Sequence, residues 1–268
     1  MRLAERRKTV FFKIWLVLLI ISTMIFPSVT HAARPFVTDD AGTTGRAGFQ
    51  IEAGIESSST KNHEEGVAVR ETETELSTVL TYGITDSLDI MARLPYTWKK
   101  RKEGGQTVFN KDRLSDMTLE AKWRFYEKDG LGIAIKPGVG IPSGDYRQGF
   151  GTGRTTYGAM VIISKEVAPV GLHLNAGYTR NENRTDERKD LLSASFAITV
   201  ETIKDLTIGG DIGLTSNNDP RIKTAPAFFL VGAHYKIGKY TTVDSGVKVG
   251  LNRYEADHAF IGGLTIKF

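Results

Sequence analysis

Residues 259–268 read AFIGGLTIKF, and the alternation of large apolar side chains with other residues in this last stretch of the chain indicates a β-strand. In an extended strand successive side chains point to opposite faces, so one face collects Phe260, Leu264, Ile266 and Phe268. The ends of soluble domains are usually polar and loosely held. An apolar stripe that continues to the last residue therefore predicts a final strand that is paired on both sides and faces an apolar solvent.

The same alternation recurs along the chain after residue 46. Residues 116–125 (DMTLEAKWRF) are the clearest example, with five apolar side chains on one face and four charged ones among the five on the other. About twelve such segments occur, and the connections alternate between short turns and longer polar loops, which include residues 57–66 and 99–113. Sorting of loops by length is typical of membrane barrels. The sequence therefore predicts an all-β fold: a transmembrane antiparallel β-barrel of about 12 strands with short periplasmic turns and longer extracellular loops.

The beginning of the chain has the pattern of a secretory signal peptide. Five basic residues precede an apolar run of about 13 residues, and small residues occupy the positions before the expected cleavage site after Ala32. A transmembrane anchor is the alternative, but the apolar run is shorter than the roughly 20 residues that a spanning helix needs. We predict a signal peptide at residues 1–32, a periplasmic segment at 33–46, which partly occludes the periplasmic mouth, and an outer-membrane barrel at 47–268 in a Gram-negative-type bacterium.

The composition excludes several classes of function. Residues 1–32 hold five of the 35 Lys and Arg side chains and one of the 31 acidic ones, which leaves 30 of each in the exported chain. A balanced charge gives no reason to expect nucleic acid as a partner. The chain has no cysteine, which excludes disulfides, thiol nucleophiles and thiolate metal sites. We expect no cofactor and no metal.

The inward faces of the predicted strands carry charges of both signs, and they have two interpretations. The charges either form salt bridges that fill the lumen, with Glu71, Glu73 and Glu75 opposite Arg93, Lys122 and Arg124, or they line a hydrated route for solutes. We give the two interpretations equal weight. The predicted lumen-lining residues are Glu71, Glu73, Glu75, Arg93, Glu120, Lys122, Arg124 and Asp211.

Three stretches carry a resemblance to a known family. Residues 34–56 (RPFVTDDAGTTGRAGFQIEAGIE), 80–96 (LTYGITDSLDIMARLPY) and 141–153 (IPSGDYRQGFGTG) resemble the exported barrels described as "putative MetA-pathway of phenol degradation". The resemblance covers about residue 34 to Phe268. It implies a twelve-strand outer-membrane barrel for the uptake of small, often hydrophobic or aromatic compounds, and it brings no catalytic residues with it.

We therefore predict a passive channel or transporter for small solutes. One alternative is a closed barrel with a structural or adhesive role. The other is an acyl hydrolase at the outer rim, where the outward-facing His258 would lie beside Ser57 of the first strand, although no third residue that would orient the imidazole is identifiable. We assign no catalytic residue.

The last strand carries a further prediction. An aromatic final residue after alternating apolar ones resembles the signal by which outer-membrane barrels are recognised for assembly. The predicted signal residues are Phe260, Leu264, Ile266 and Phe268. The expected partners are outer-membrane lipids, the barrel-assembly machinery and a small-molecule solute.

Overall fold

The computed structural model describes residues 34–268, so the predicted signal peptide lies outside the described residues. The described chain forms thirteen strands and a short 3₁₀ helix at Tyr146–Gln148. The strands are β1 (Phe49–Glu64), β2 (Val67–Thr85), β3 (Leu88–Glu103), β4 (Gln106–Leu114), β5 (Met117–Lys128), β6 (Leu131–Ile141), β7 (Thr156–Val167), β8 (Val170–Arg180), β9 (Asp190–Ile203), β10 (Leu206–Thr215), β11 (Ala227–Ile237), β12 (Thr241–Gly250) and β13 (His258–Lys267). Within residues 34–268 no helix is long and apolar enough to span a membrane.

The sheet closes on itself because β1 pairs with β2 on one side and with β13 on the other. Gln50 lies opposite Lys267, and Ser59 lies opposite His258. From β5 to β13 each strand pairs antiparallel with the next, and β3 pairs with β5 through Leu88–Arg93. The predicted all-β antiparallel barrel is confirmed: twelve strands form the closed wall, and β4 is one further strand.

Two of the predicted loops are strands instead. Residues 57–66 continue β1 to a turn at Glu65 and Gly66, and residues 99–113 form the ends of β3 and β4 around Gly104 and Gly105. All four turn residues have positive φ, which two-residue hairpin turns require. Both faces of these segments meet water, so their sequence lacks the alternation that reveals a strand. We call the projecting ends of the β1–β2 hairpin and of the β3–β4 hairpin the outer hairpins.

The two faces of the wall differ as a membrane barrel requires. Leu119 and Trp123 are each 52% exposed, whereas Lys122 is only 6% exposed. An apolar surface turned outward all round the barrel is stable only in contact with lipid. Aromatic pairs mark the two edges of this surface, with Tyr96 and Trp98 at the loop end of β3 and Phe49 and Phe268 at the opposite end.

Residues 34–46 lie inside the barrel, and we call them the lumen segment. Thr38 is fully buried, and Phe36, Asp40 and Ala41 are buried as well. Phe36 packs in one cluster with Phe228, Leu230 and Ile261 of β11 and β13. The segment thus reaches deeper than the periplasmic mouth, where the sequence analysis placed it.

Candidate functional site

Glycines on the inner wall make room for the lumen segment. A Cβ at Gly209 would lie 2.6 Å from the ring of Phe36, and one at Gly246 would lie 3.2 Å from Pro35. A Cβ at Gly132 would lie 3.1 Å from Cβ of Ala41. These glycines belong to β10, β12 and β6, so the wall is thinned on several sides. The barrel is therefore shaped around the segment.

Asp211 of β10 holds one end of the lumen segment. Its Oδ2 accepts hydrogen bonds from the main-chain nitrogens of Val37 (2.7 Å) and Thr38 (2.9 Å). Its Oδ1 accepts the hydroxyl of Thr38 at 2.7 Å. Asp211 is only 1% exposed, and buried carboxylates need such donors to offset the loss of water. This residue is therefore an anchor as well as a wall residue.

Asp39 of the segment is held between two wall lysines. Its Oδ1 accepts a hydrogen bond from Nζ of Lys122, and its Oδ2 accepts one from Nζ of Lys136, both at 2.8 Å. Nζ of Lys122 also donates to the main-chain oxygen of Asp40 at 3.0 Å. Burial by itself would raise the pKa of Asp39, but the two lysines outweigh it and hold that pKa well below its ordinary value. Asp39 therefore stays ionised and bridges β5 and β6.

A serine and a histidine fix the middle of the segment. The hydroxyl oxygen of Ser164 accepts the main-chain nitrogen of Ala41 at 2.9 Å and lies 2.9 Å from Nδ1 of His173. Glu166 lies 3.6 Å from Nε2 of the same ring. The three residue types are those of a hydrolase triad, but the serine is only 5% exposed and its oxygen is engaged with the lumen segment. This group positions the segment.

The last part of the segment is tied to the turn between β2 and β3. The main-chain nitrogen and the hydroxyl of Thr44 donate hydrogen bonds of 2.9 and 2.8 Å to the carboxylate of Asp89, at the start of β3. Thr43 donates its hydroxyl to the main-chain oxygen of Asp86 at 2.7 Å. The segment is thus anchored along its whole length, from the β2–β3 turn to β10.

The predicted lumen-lining residues separate into three groups. Asp211 and Lys122 bind the lumen segment, and Glu120 lies 3.8 Å from Lys136 beside it. Glu71, Glu73, Glu75 and Arg93 lie toward the outer hairpins. Arg124 lies near the opposite end, where it contacts Glu127 at 3.1 Å.

The predicted pairing among these residues holds only for Glu75, which bonds Arg93. Glu73 pairs with Lys99 at 3.3 Å and Glu71 with Arg101 at 2.6 Å. The partners Lys99 and Arg101 lie in residues 99–113, which the sequence analysis assigned to a loop. The expected partners Lys122 and Arg124 are instead engaged with Asp39 and Glu127.

Sequence analysis did not assign Asp39, Lys136 or Ser164 to the site. Asp39 lies outside the alternating segments, and nothing in its neighbours specifies a lysine partner. The clearest sequence signal for a segment inside the lumen was the set of glycines at inward positions of β10 to β12, namely Gly209, Gly232 and Gly246. A lumen filled only by wall side chains does not need glycines at these positions.

Two cavities of about 260 Å³ each remain on the outer side of the lumen segment, and one of about 50 Å³ lies on the periplasmic side. One of the larger cavities, which we call the outer cavity, is lined by apolar and polar groups, among them Val37, Met160, Phe228, Asn175, Lys248 and Glu255. Nζ of Lys248 lies 5.7 Å from the ring centroid of Phe228 and 2.6 Å from Glu56. The outer cavity thus offers an aromatic ring beside paired charges.

The hypothetical hydrolase pair at the rim is not joined in the structure. The hydroxyl of Ser57 lies 2.9 Å from that of Thr74. His258 lies opposite Ser59 and packs against the ring of Phe260, with centroids 5.8 Å apart. Among residues 34–268, no group of His, Asp and Glu side chains is placed to hold a metal ion.

Residues 32–268 match the protein family described as "putative MetA-pathway of phenol degradation". The chain belongs to this family. The match includes both the barrel and the lumen segment. No curated protein is significantly similar to this family member in sequence.

Solved structures similar to this member of the MetA-pathway family are outer-membrane barrels. An outer-membrane channel from Pseudomonas putida F1 has a TM-score of 0.67 and 12% identity over 85% of this chain and 98% of that one. The KdgM porin has a TM-score of 0.55 and 10% identity over 82% and 99%. The translocator domain of the autotransporter NalP from Neisseria meningitidis has a TM-score of 0.50 and 10% identity over 98% of each chain.

These likenesses show the fold, which is that of an outer-membrane β-barrel.

Proposed function

We propose that this protein is a gated outer-membrane channel for small solutes, in which residues 34–46 close the lumen and their release opens it. The observation that carries the proposal is the way in which the segment is held. Apart from the apolar packing of Phe36, its contacts are separate polar anchors, at Asp211, at Lys122 with Lys136, and at Ser164. Each anchor exchanges for water when the segment leaves. The wall itself is closed by β1 and β13 and does not depend on the segment.

The outer cavity indicates the class of solute. Its volume of about 260 Å³ exceeds the ~150 Å³ of an engineered apolar cavity that accepts benzene. Val37, Met160 and Phe228 offer apolar contact, while Lys248 offers a donor for a hydroxyl or carboxylate. We propose that the channel passes compounds with one aromatic ring and a polar substituent. The description of the family names phenol degradation, and phenols are compounds of this kind.

Planar-bilayer recording and liposome swelling test this function. We use the purified mature chain with 4-hydroxybenzenesulfonate, which carries a fixed charge and does not cross lipid readily, and with glucose as the non-aromatic comparison. The aromatic probe is expected to enter several-fold faster than glucose. Phe228→Ala is expected to remove that preference, whereas Phe229→Ala, which changes an outward ring on the same strand, keeps it. If neither the wild-type chain nor the variant Asp39→Lys, which is designed to release the lumen segment, passes ions or solutes, the closed structural barrel is the correct alternative.

The pH dependence of closure follows from Asp39. Because its pKa in the closed state is lowered, the carboxylate stabilises closure at every pH above about 4, and this contribution is lost only as the pH falls further toward the lowered pKa. The charged and titratable groups around it are Lys122 and Lys136 in direct contact, with Glu120, Glu52 and His173 further away. We expect the conductance difference between wild type and Asp39→Asn to be constant from pH 8 to 5 and to shrink below about pH 4. A difference that changes between pH 8 and 5 would contradict this assignment.

A further inference from the structure

The outer hairpins carry a set of cations on the face that points away from the barrel axis. Lys61, Arg70 and Lys102 lie directly opposite one another across β1, β2 and β3, and Lys100 follows one step nearer the membrane. We call these four residues the outer basic patch. Lys61, Arg70 and Lys100 are exposed and Lys102 is half-buried. Neighbouring strands are about 4.8 Å apart, so the first three cations lie within about 10 Å.

The two faces of the outer hairpins differ in how their charges are balanced. On the inner face Lys99 pairs with Glu73, and Arg101 pairs with Glu64, Glu71 and Glu103. On the outer face none of the four patch cations lies within 4 Å of a carboxylate anywhere in residues 34–268. The side chain of Arg70 meets only the hydroxyl of Ser59, at 3.4 Å.

The carboxylates near the patch bind other groups and lie more than 4 Å from the charged nitrogens of its four cations. Asp112 accepts the hydroxyl of Tyr96, and Asp257 accepts the main-chain nitrogen of Lys61 at 2.9 Å. Like charges placed directly opposite on adjacent strands destabilise a sheet. A row of three cations without a salt bridge within residues 34–268 therefore indicates that the partner anion comes from outside the chain.

The height of the patch indicates where that anion lies. Trp98 shares the outward face of β3 and is 41% exposed beside Tyr96 in the aromatic edge of the apolar surface. Lys100 and Lys102 follow two and four residues later, which is roughly 7 and 13 Å further along the strand. Aromatic girdles mark the membrane interface, so the patch begins at headgroup level and extends outward from it. Between the girdle and the row of three lie the hydroxyls of Ser59 and Thr72.

We propose that the outer basic patch binds the phosphates of an anionic glycolipid in the outer leaflet, with the sugars lying beside Thr72 below the cations. Lysine and arginine are the residues that pair with phosphate oxygens, and each cation near a charged membrane surface strengthens binding. The lipid would supply the counter-charge that the outer hairpins lack and would hold them upright at the membrane surface.

Native mass spectrometry of the purified mature chain in detergent with diphosphorylated lipid A tests this site. The triple variant Arg70→Ser, Lys100→Ser, Lys102→Ser is expected to bind about tenfold more weakly or worse, since it removes three cation contacts. The matched control, Lys128→Ser, Lys204→Ser, Lys239→Ser, removes three exposed lysines from the opposite end and is expected to bind within about twofold of wild type.

A second arm of the experiment needs no variant. Dephosphorylated lipid A is expected to bind the wild-type chain about tenfold more weakly than the diphosphorylated form, and sodium chloride is expected to weaken binding of the latter. Equal binding of the two lipids, or wild-type affinity in the triple variant, would overturn the proposal. Inorganic phosphate that binds as strongly as the lipid would also overturn it, because the site would then be one for a free anion.

Discussion

Asp39→Lys is expected to open the barrel. In the wild-type structure Nζ of Lys122 and Nζ of Lys136 each lie 2.8 Å from a carboxylate oxygen of Asp39. The substitution replaces that carboxylate with a third ammonium group. Breaking a buried ion pair costs about 3–5 kcal/mol, and repulsion among three cations adds to this. A loss of about 3 kcal/mol shifts the population of the released segment by more than a hundredfold. Single-channel recording should therefore show a large gain in the open fraction.

Two further variants separate release of the segment from a general effect of charge. Glu65→Lys makes the same change of charge in the exposed turn of an outer hairpin and is expected to leave conductance unchanged. Lys122→Glu added to Asp39→Lys restores a pair of opposite charges at the same place and is expected to recover much of the closure. An Asp39→Lys channel as closed as wild type, in a folded barrel, would show that the lumen segment is not the gate.

Removal of Phe268 is expected to lower the amount of assembled barrel about tenfold or more, although β13 ends at Lys267 and keeps its pairing with β1. The main-chain nitrogen of Phe268 donates to the oxygen of Phe49 at 2.8 Å, and the two rings lie 5.9 Å apart. The side chain itself is 69% exposed. Its loss removes little buried area, so a stability effect alone would be small. We propose that the barrel-assembly machinery reads Phe268 together with Phe260, Leu264 and Ile266.

The amount of folded protein in isolated outer membranes measures this effect. Phe268→Ala keeps the main-chain bond to Phe49 and separates the role of the ring from that of the strand end. Phe125→Ala removes another outward aromatic residue, 52% exposed on β5, and is expected to assemble normally. Normal levels of the Phe268 deletion in the outer membrane would refute the assembly signal.

The sequence did not predict that the outer hairpins are strands. Sequence patterns identify a strand through the difference between its two faces, and this difference exists only where one face meets lipid and the other the lumen. Beyond the rim both faces meet water, so residues 99–113 read as a polar loop although β3 pairs there with β4. The glycine pair at the turn, with φ of 54° and 87°, was the remaining signal.

The sequence by itself determined the closed antiparallel wall, the twelve strands that form it and the lipid-facing side of each. These features depend on local alternation, which the solvent on each face imposes on the residues of every strand. Only the tertiary structure decided what fills the lumen. Asp39 meets Lys122 across 83 positions of sequence, and Thr38 meets Asp211 across 173. Such pairs are set by closure of the barrel around the segment, and no periodic pattern records them.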